Sequence, residues 1–467
     1  MKKLFAVILS LLSLYITQSC VFAENNPLSV PNNKFGIHVI DENDLKNAAS
    51  LVNSSGGDWG YVTLVITESE RNQSRWQQVF DQMRRLHLIP IIRIATKVEG
   101  ENWVIPKNED IGSWVLFLNS LNWVVENRYV IIGNEPNHSA EWGGNIDPEG
   151  YSTYLNDFAQ KLHQASNDFF VIGAGLDASA KNTVGTMDEA TYLKRMLKSQ
   201  PALFDNLNGW SSHSYPNPGF EGKETDTGRG SIQTFDWEMT YLNSLGVSRE
   251  LPVFITETGW SNQKTDPSKI AEMYDYAFQN VWNDKRIVAV TPFVLNYKDS
   301  LFSEFSWMKN DGSFYAFYDK YKSIEKIKGA PIQKQSGQIM GALAQPVIFE
   351  GSDFVGAILA KNTGQSIWNT DNLSLISDNG DIVFKNNLLF DIEPSKTGLI
   401  VFRASPTQGR GLLLKSIYLS DRVSGKRITN SFPIEALIVK ADKVQIQSIF
   451  SKLSGFVKSG QFLNTSK

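Results

Sequence analysis

Eight short runs of β-forming, nearly uninterrupted apolar residues recur between residues 34 and 297, and nothing else in the chain constrains its fold as tightly. They read "KFGIHVI" (34–40), "WGYVTLVI" (59–66), "IPIIRIAT" (89–96), "RYVIIGNE" (128–135), "FFVIGAGL" (169–176), "NGWSSHSY" (208–215), "LPVFITET" (251–258) and "IVAVTPFVLNY" (287–297). Most lack the apolar–polar alternation of a strand with one wet face, so they read as parallel strands buried on both faces. Helical spacing fills the segments between them. In "DPEGYSTYLNDFAQKLHQAS", Tyr151, Tyr154, Leu155, Phe158 and Leu162 share one helix face, and Asp147 before Pro148 supplies an N-cap followed by proline at the first helical position. Similar stripes run through "SRWQQVFDQMRRL", "FDWEMTYLNSL" and "SKIAEMYDYAFQNVW". Eight such alternations predict an α/β fold, a (β/α)8 TIM barrel over residues 34–328, rather than an open doubly wound sheet. No Gly-x-Gly-x-x-Gly follows the first run and no phosphate loop appears, which argues against nucleotide binding.

Near "KGAPIQKQSGQ" (328–338) the pattern changes. Beyond it, short alternating runs such as "FVGAILAKN", "GLIVFRASP" and "GLLLKSIYLSD" are separated by Asn-Gly, Pro and Gly turn signals, which predicts a smaller all-β domain over 340–445, followed by a tail at 446–467. "DNGD" between two alternating runs predicts a type I′ hairpin. "NTGQSIW" (362–368) resembles a run found in Ig-like sandwich modules attached to secreted enzymes, which implies an Ig-like sandwich with a structural or a glycan-binding part to play.

The first 23 residues read as a signal peptide. Lys2 and Lys3 precede the apolar stretch "LFAVILSLLSLYI", and "VFA" before Glu24 gives a small-x-small cleavage pattern. An uncleaved anchor is the alternative, and "ITQSC" fits a lipoprotein site poorly. An extracellular or cell-envelope location follows, with no other membrane association. Cys20, the single cysteine, lies in this segment, so a chain cleaved after Ala23 has no thiol for a disulfide, a zinc site or a nucleophile. A formal net charge of −4 and the lack of a basic run give no reason to propose a nucleic-acid partner.

In a (β/α)8 barrel the chemistry sits at the C-terminal ends of the strands, on the rim built from the βα loops. Two glutamates end predicted strands: Glu135 in "IIGNEP" on the fourth and Glu257 in "VFITETGW" on the seventh. They are 122 residues apart, and residues 35 to 328 divided among eight units give about 37 residues each, so the separation is about three units, as strands four and seven require. These strands face each other across the barrel mouth. A pair of carboxyl groups there suits glycosidic-bond hydrolysis, with one protonating the leaving oxygen and the other attacking the anomeric carbon or activating water. Sequence leaves the choice between retention and inversion open, because it turns on the distance between the carboxyls. No His-x-x-x-His or carboxylate cluster suggests a metal, and no cofactor is implied.

The motifs "GNEPN" and "ITETGW" resemble those of the clan A glycoside hydrolases, retaining (β/α)8 enzymes with an Asn-Glu pair on strand four and a nucleophilic glutamate on strand seven. The resemblance spans residues 34–328 in strand order, with close matches confined to the motifs. It implies Glu135 as acid/base, Glu257 as nucleophile, and Asn134 as a partner of the sugar 2-hydroxyl. "SSHSY" is similar to the clan's His-x-Tyr, which maps to His213 and Tyr215.

Glu257 needs donors to stay ionised, and Tyr215, His213 or Arg93 could serve. Arg93 is the only basic residue inside its apolar run, and a cation there must be paired. Sugars stack on aromatic rings, which makes Trp142, Trp260 and Tyr297 candidates for the cleft. Many relatives carry a tryptophan at the end of strand eight where this chain reads "FVLNY"; the nearest here is Trp307. The expectation is an exported hydrolase of a β-linked polysaccharide or oligosaccharide of β-glucan, xylan or mannan type. A transglycosylase using the same two glutamates, or a non-catalytic carbohydrate-binding or envelope scaffold protein, is the alternative.

Overall fold

The computed structural model describes residues 26–299, 301–388 and 390–440. The expected signal peptide with Cys20, and the tail at 446–467, lie outside the described residues. The chain divides into two compact units, with the boundary between Ile332 and Gln333.

The first unit alternates strands and helices from end to end: β1 (Gly36–His38), α1 (Leu45–Val52), β2 (Gly60–Thr67), α2 (Gln73–Arg85), β3 (Leu88–Ala95), α3 (Ile111–Ser120), β4 (Arg128–Ile132), α4 (Pro148–Ala165), β5 (Phe169–Gly173), α5 (Glu189–Ser199), β6 (Trp210–His213), α6 (Thr234–Ser244), β7 (Val253–Glu257), α7 (Pro267–Tyr276), β8 (Ile287–Val290) and α8 (Ala316–Ser323). β1 to β5 form one parallel sheet in sequence order, and β6 to β8 another. Parallel bridges at Ile172–Gly209 and Phe35–Val290 join the two sheets into a ring. All eight apolar runs of the sequence supply a strand. Each strand interior is buried because the ring's core lies on one face and the helices on the other, which is why the runs show no alternation.

The helices form where spacing and caps dictate. In α4 the Asp147 carboxylate accepts from the Gly150 N–H, Pro148 opens the helix, and Tyr151, Tyr154, Leu155, Phe158 and Leu162 are all buried. Asn72 caps α2 and Asp266 caps α7 in the same manner. No helix among the described residues is long and apolar enough to cross a membrane.

The second unit has two four-stranded sheets. With β9 (Gly337–Ala344), β10 (Val347–Phe349), β11 (Phe354–Asn362), β12 (Leu373–Ser377), β13 (Ile382–Leu388), β14 (Thr397–Pro406), β15 (Gly411–Asp421) and β16 (Phe432–Val439), the orders are β9-β11-β14-β13 and β10-β16-β15-β12. Side chains from both sheets, among them Ile358, Phe402, Leu375 and Leu413, make one apolar core. The expected "DNGD" hairpin is absent: β12 pairs with β15, while β13 pairs with β14 in the other sheet. The four residues between them carry the chain from one sheet to the other. Each of these strands has one apolar face, and placing them in different sheets turns both faces into the shared core. In "NTGQSIW", Trp368 is fully buried in that core and the Asn362 amide donates to the carbonyls of Ser366 and Ile392, so the motif builds the interior of its own unit.

Candidate active site

The carboxyls of Glu135 and Glu257 converge at the C-terminal rim of the ring. Glu257 is the last residue of β7, where the strand register delivers its side chain inward. Glu135 gets there differently. The predicted fourth strand ran through residue 135, but β4 stops at Ile132, and the backbone then turns with φ +86° at Gly133 and +29° at Glu135. Crowding is not what calls for glycine at position 133. Its surroundings are loose, since an added Cβ would meet Tyr151 at an ordinary 3.6 Å; the glycine is required by its positive φ. Glu135 holds its own positive φ without that freedom, a strained conformation of the kind functional sites accumulate. Its N–H donates to the Gly175 carbonyl at 3.1 Å and its carbonyl accepts from the His138 N–H at 2.8 Å, which fixes the turn.

Three side chains position the two carboxyls. Arg93, from β3, donates through Nη1 both to Glu257 Oε1 and to Asn134 Oδ1, the latter at 2.6 Å. The Tyr215 hydroxyl donates to Glu257 Oε2 at 3.1 Å. His213, the last residue of β6, was a candidate donor to Glu257 but bonds Glu135 instead: its Nδ1 lies 2.7 Å from Glu135 Oε1 and 3.9 Å from Glu257 Oε2. The ring can stand there because residue 175 is glycine; a Cβ on it would overlap the imidazole.

Charge follows from this arrangement. Burial alone would raise the Glu257 carboxyl, but His213 and Arg93 outweigh it and hold the group well below its ordinary value. Burial works against a charge on His213, yet Glu257 and the hydrogen bond to Glu135 lift it above its usual value. His38, fully buried at the end of β1, is driven down to about 3 by desolvation, with Arg93 adding, and is neutral at neutral pH. An oxygen of Glu135, a ring nitrogen of His213 and an oxygen of Glu257 lie within 4.8 Å of one another, the set of His, Asp and Glu groups among the described residues spaced closely enough for a metal ion. Arg93 already neutralises Glu257, and hydrogen bonds occupy these atoms, so the arrangement fits proton transfer and nucleophilic attack better than metal binding.

A cavity of about 370 Å³ opens over the two carboxyls. Trp103, Trp114, Trp142, Tyr151 and Tyr154 line it from the β3 and β4 side, and Tyr215, Phe220, Phe293, Phe302 and Phe305 from the β6 and β8 side. Of the three aromatic residues offered by the sequence as stacking surfaces for a sugar, Trp142, Trp260 and Tyr297, only Trp142 is in this lining. Trp260 packs edge-on to Tyr274, with its indole N–H donating to the Gly222 carbonyl, and belongs to the core. Tyr297 lies outside the lining, edge-on to Phe302. Trp307 is buried against Tyr274, Phe317 and Tyr321, and Phe293 supplies the aromatic surface beyond β8. Sequence reasoning also missed His138, Asp177 and Glu141. His138 was visible as one of five histidines, in the loop after Glu135, but its 2.8 Å pairing with Asp177 joins two separate loops.

No family model matches the chain, and no curated protein does. Several solved structures that match it are glycoside hydrolases. One is a β-mannanase from Thermomonospora fusca, with 14% identity over 63% of this chain and 89% of that chain and a TM-score of 0.41. Another is a β-1,4-D-mannanase from Cryptopygus antarcticus, with 10% identity, coverage of 63% and 93% and a TM-score of 0.40. An endo-1,4-β-mannanase from Eisenia fetida has 10% identity, coverage of 60% and 83% and a TM-score of 0.38.

Proposed function

We propose that this chain is an exported retaining glycoside hydrolase acting on a β-linked polysaccharide or oligosaccharide. The observation that carries the reading is the spacing of the two rim carboxyls, with oxygens of Glu135 and Glu257 within 4.8 Å of each other. Retaining enzymes keep their carboxyls about 5–5.5 Å apart, whereas inverting ones leave roughly 6.5–9.5 Å for a water.

Glu135 protonates the leaving oxygen while Glu257, kept ionised by Arg93 and Tyr215, attacks the anomeric carbon to form a glycosyl-enzyme. Glu135 then takes a proton from the water that releases the sugar. His213 holds Glu135 in place through Nδ1. Asn134, fixed by Arg93, is placed to meet a hydroxyl beside the reaction centre. The aromatic walls offer faces on which sugar C–H groups stack.

Release of sugar from a panel of β-glucans, xylans and mannans establishes the substrate. Glu257→Ala abolishes that release, and azide restores turnover by attacking from the vacated face, giving a product of inverted configuration. Full activity in the variant would rule out the nucleophile assignment, and a wild type that cleaves no glycan would rule out the hydrolase.

A further inference from the structure

The acids and bases around the cavity do not balance. Arg93, His138 and His213 are the basic side chains there, and each is already matched: Arg93 to Glu257, His138 to Asp177 at 2.8 Å, and His213 to Glu135 at 2.7 Å. Glu141 also lines the cavity, and it has no ion-pair partner among the described residues. It is no ordinary surface acid. Burial pushes its carboxyl up to about 7, with Glu135 adding, against the pull of Arg93 and a hydrogen bond to Asn134.

Its segment is fixed. Glu141 ends the helical turn Ser139–Glu141, its N–H donates to the His138 carbonyl at 3.1 Å, and the following Gly143 N–H donates to the Trp103 carbonyl at 2.8 Å. The backbone is therefore fixed in the cavity wall, with the Glu135 carboxyl near enough to act on the charge of Glu141 and with Trp142 next in the chain. A partly desolvated carboxyl without a cation is unfavourable, and a donor bearing positive charge is the partner that relieves it most. A ligand carboxylate would meet Glu135, Glu141 and Glu257 with every neighbouring cation already engaged.

We propose, resting on the glycosidase reading of this cavity, that Glu141 is a specificity-determining residue that binds the free ammonium group of a hexosamine. The preferred substrate is then a β-glycan with unacetylated amino groups next to the cleaved bond, ahead of its neutral, N-acetylated and uronic-acid counterparts. Discrimination arises because an ammonium gives the partly buried carboxylate a charge-assisted hydrogen bond that a hydroxyl, an N-acetyl group or a carboxylate cannot match.

The test uses matched oligosaccharides of the linkage cleaved in the panel, carrying at one position a hydroxyl, a free amine, an N-acetyl group or a carboxylate. The full-length wild type should show at least tenfold higher kcat/KM on the amine than on the hydroxyl, and lowest on the carboxylate. Glu141→Gln should reduce the amine-to-hydroxyl ratio at least tenfold, and Glu141→Asp should restore part of it. Wild type alone also decides, because free glucosamine should inhibit at lower concentration than glucose. Equal wild-type rates on amine and hydroxyl, a preference for the carboxylate, or an unchanged ratio in Glu141→Gln overturns the proposal while glycan cleavage still stands. A wild type inactive on every glycan takes both readings with it.

Discussion

Arg93 shows how much one side chain can decide. It is the only basic residue in β3, it bridges Glu257 and Asn134, and both it and Glu257 are largely shielded from solvent. Breaking a buried ion pair from one side leaves the other charge uncompensated, typically at about 3–5 kcal/mol. Arg93→Gln is expected to cost an amount of that order in urea unfolding at neutral pH. A carboxylate whose folded pKa is depressed contributes stability above its unfolded value of about 4.3, and loses it as pH falls through the folded value. Without Arg93 the Glu257 carboxyl rises, so the acidic limb of kcat/KM moves to higher pH. A limb that stays in place would mean that His213 alone keeps Glu257 ionised.

At the scale of elements, the strand ends matter more than the strands. β5 and β6 bring Gly175 under the His213 ring, and the same glycine's carbonyl receives the Glu135 N–H, so one loop holds both partners of the His213–Glu135 hydrogen bond. Gly175→Ala forces the ring away from its seat. Overpacking of this kind costs about 1–3 kcal/mol in stability, whereas misplacing a catalytic group by about 1 Å can cost on the order of 10²-fold in rate. We therefore expect kcat to fall far more than the melting temperature, with the nuclear magnetic resonance titration of His213 shifted toward lower pH as Glu135 withdraws. A parallel loss of activity and fold would make Gly175 a packing residue only.

For the whole molecule, the division at Ile332 sets the expectation. Every residue lining the cavity lies between Val65 and Phe305, and the apolar core of the first unit is built from its own chain. The second unit has a separate core in which Trp368 is fully buried. Trp368→Ala removes the largest side chain of that core, at about 3–5 kcal/mol. In calorimetry the transition belonging to the second unit should move down while kcat on the cleaved glycan stays at the wild-type value. An equal drop in kcat would show that the cavity depends on the second unit.

The succession of strands and helices was legible in the sequence, because strand burial and helix amphipathicity are written in local periodicity. So was the pair of glutamates, since a residue that ends a buried run in such a barrel has only the rim to occupy. Periodicity reports that a ring is buried but not what it is buried against: Trp260 and Trp307 face the core, while Trp142 and Phe293 face the cavity. The crossing between β12 and β13, the choice of His213 for Glu135 over Glu257, and the unmatched carboxyl of Glu141 were likewise invisible. Each depends on distances between residues far apart in the chain. Sequence determined which groups could reach the rim, and only the tertiary structure decided which of them meet, because hydrogen bonds and ion pairs are settled within a few ångströms through space.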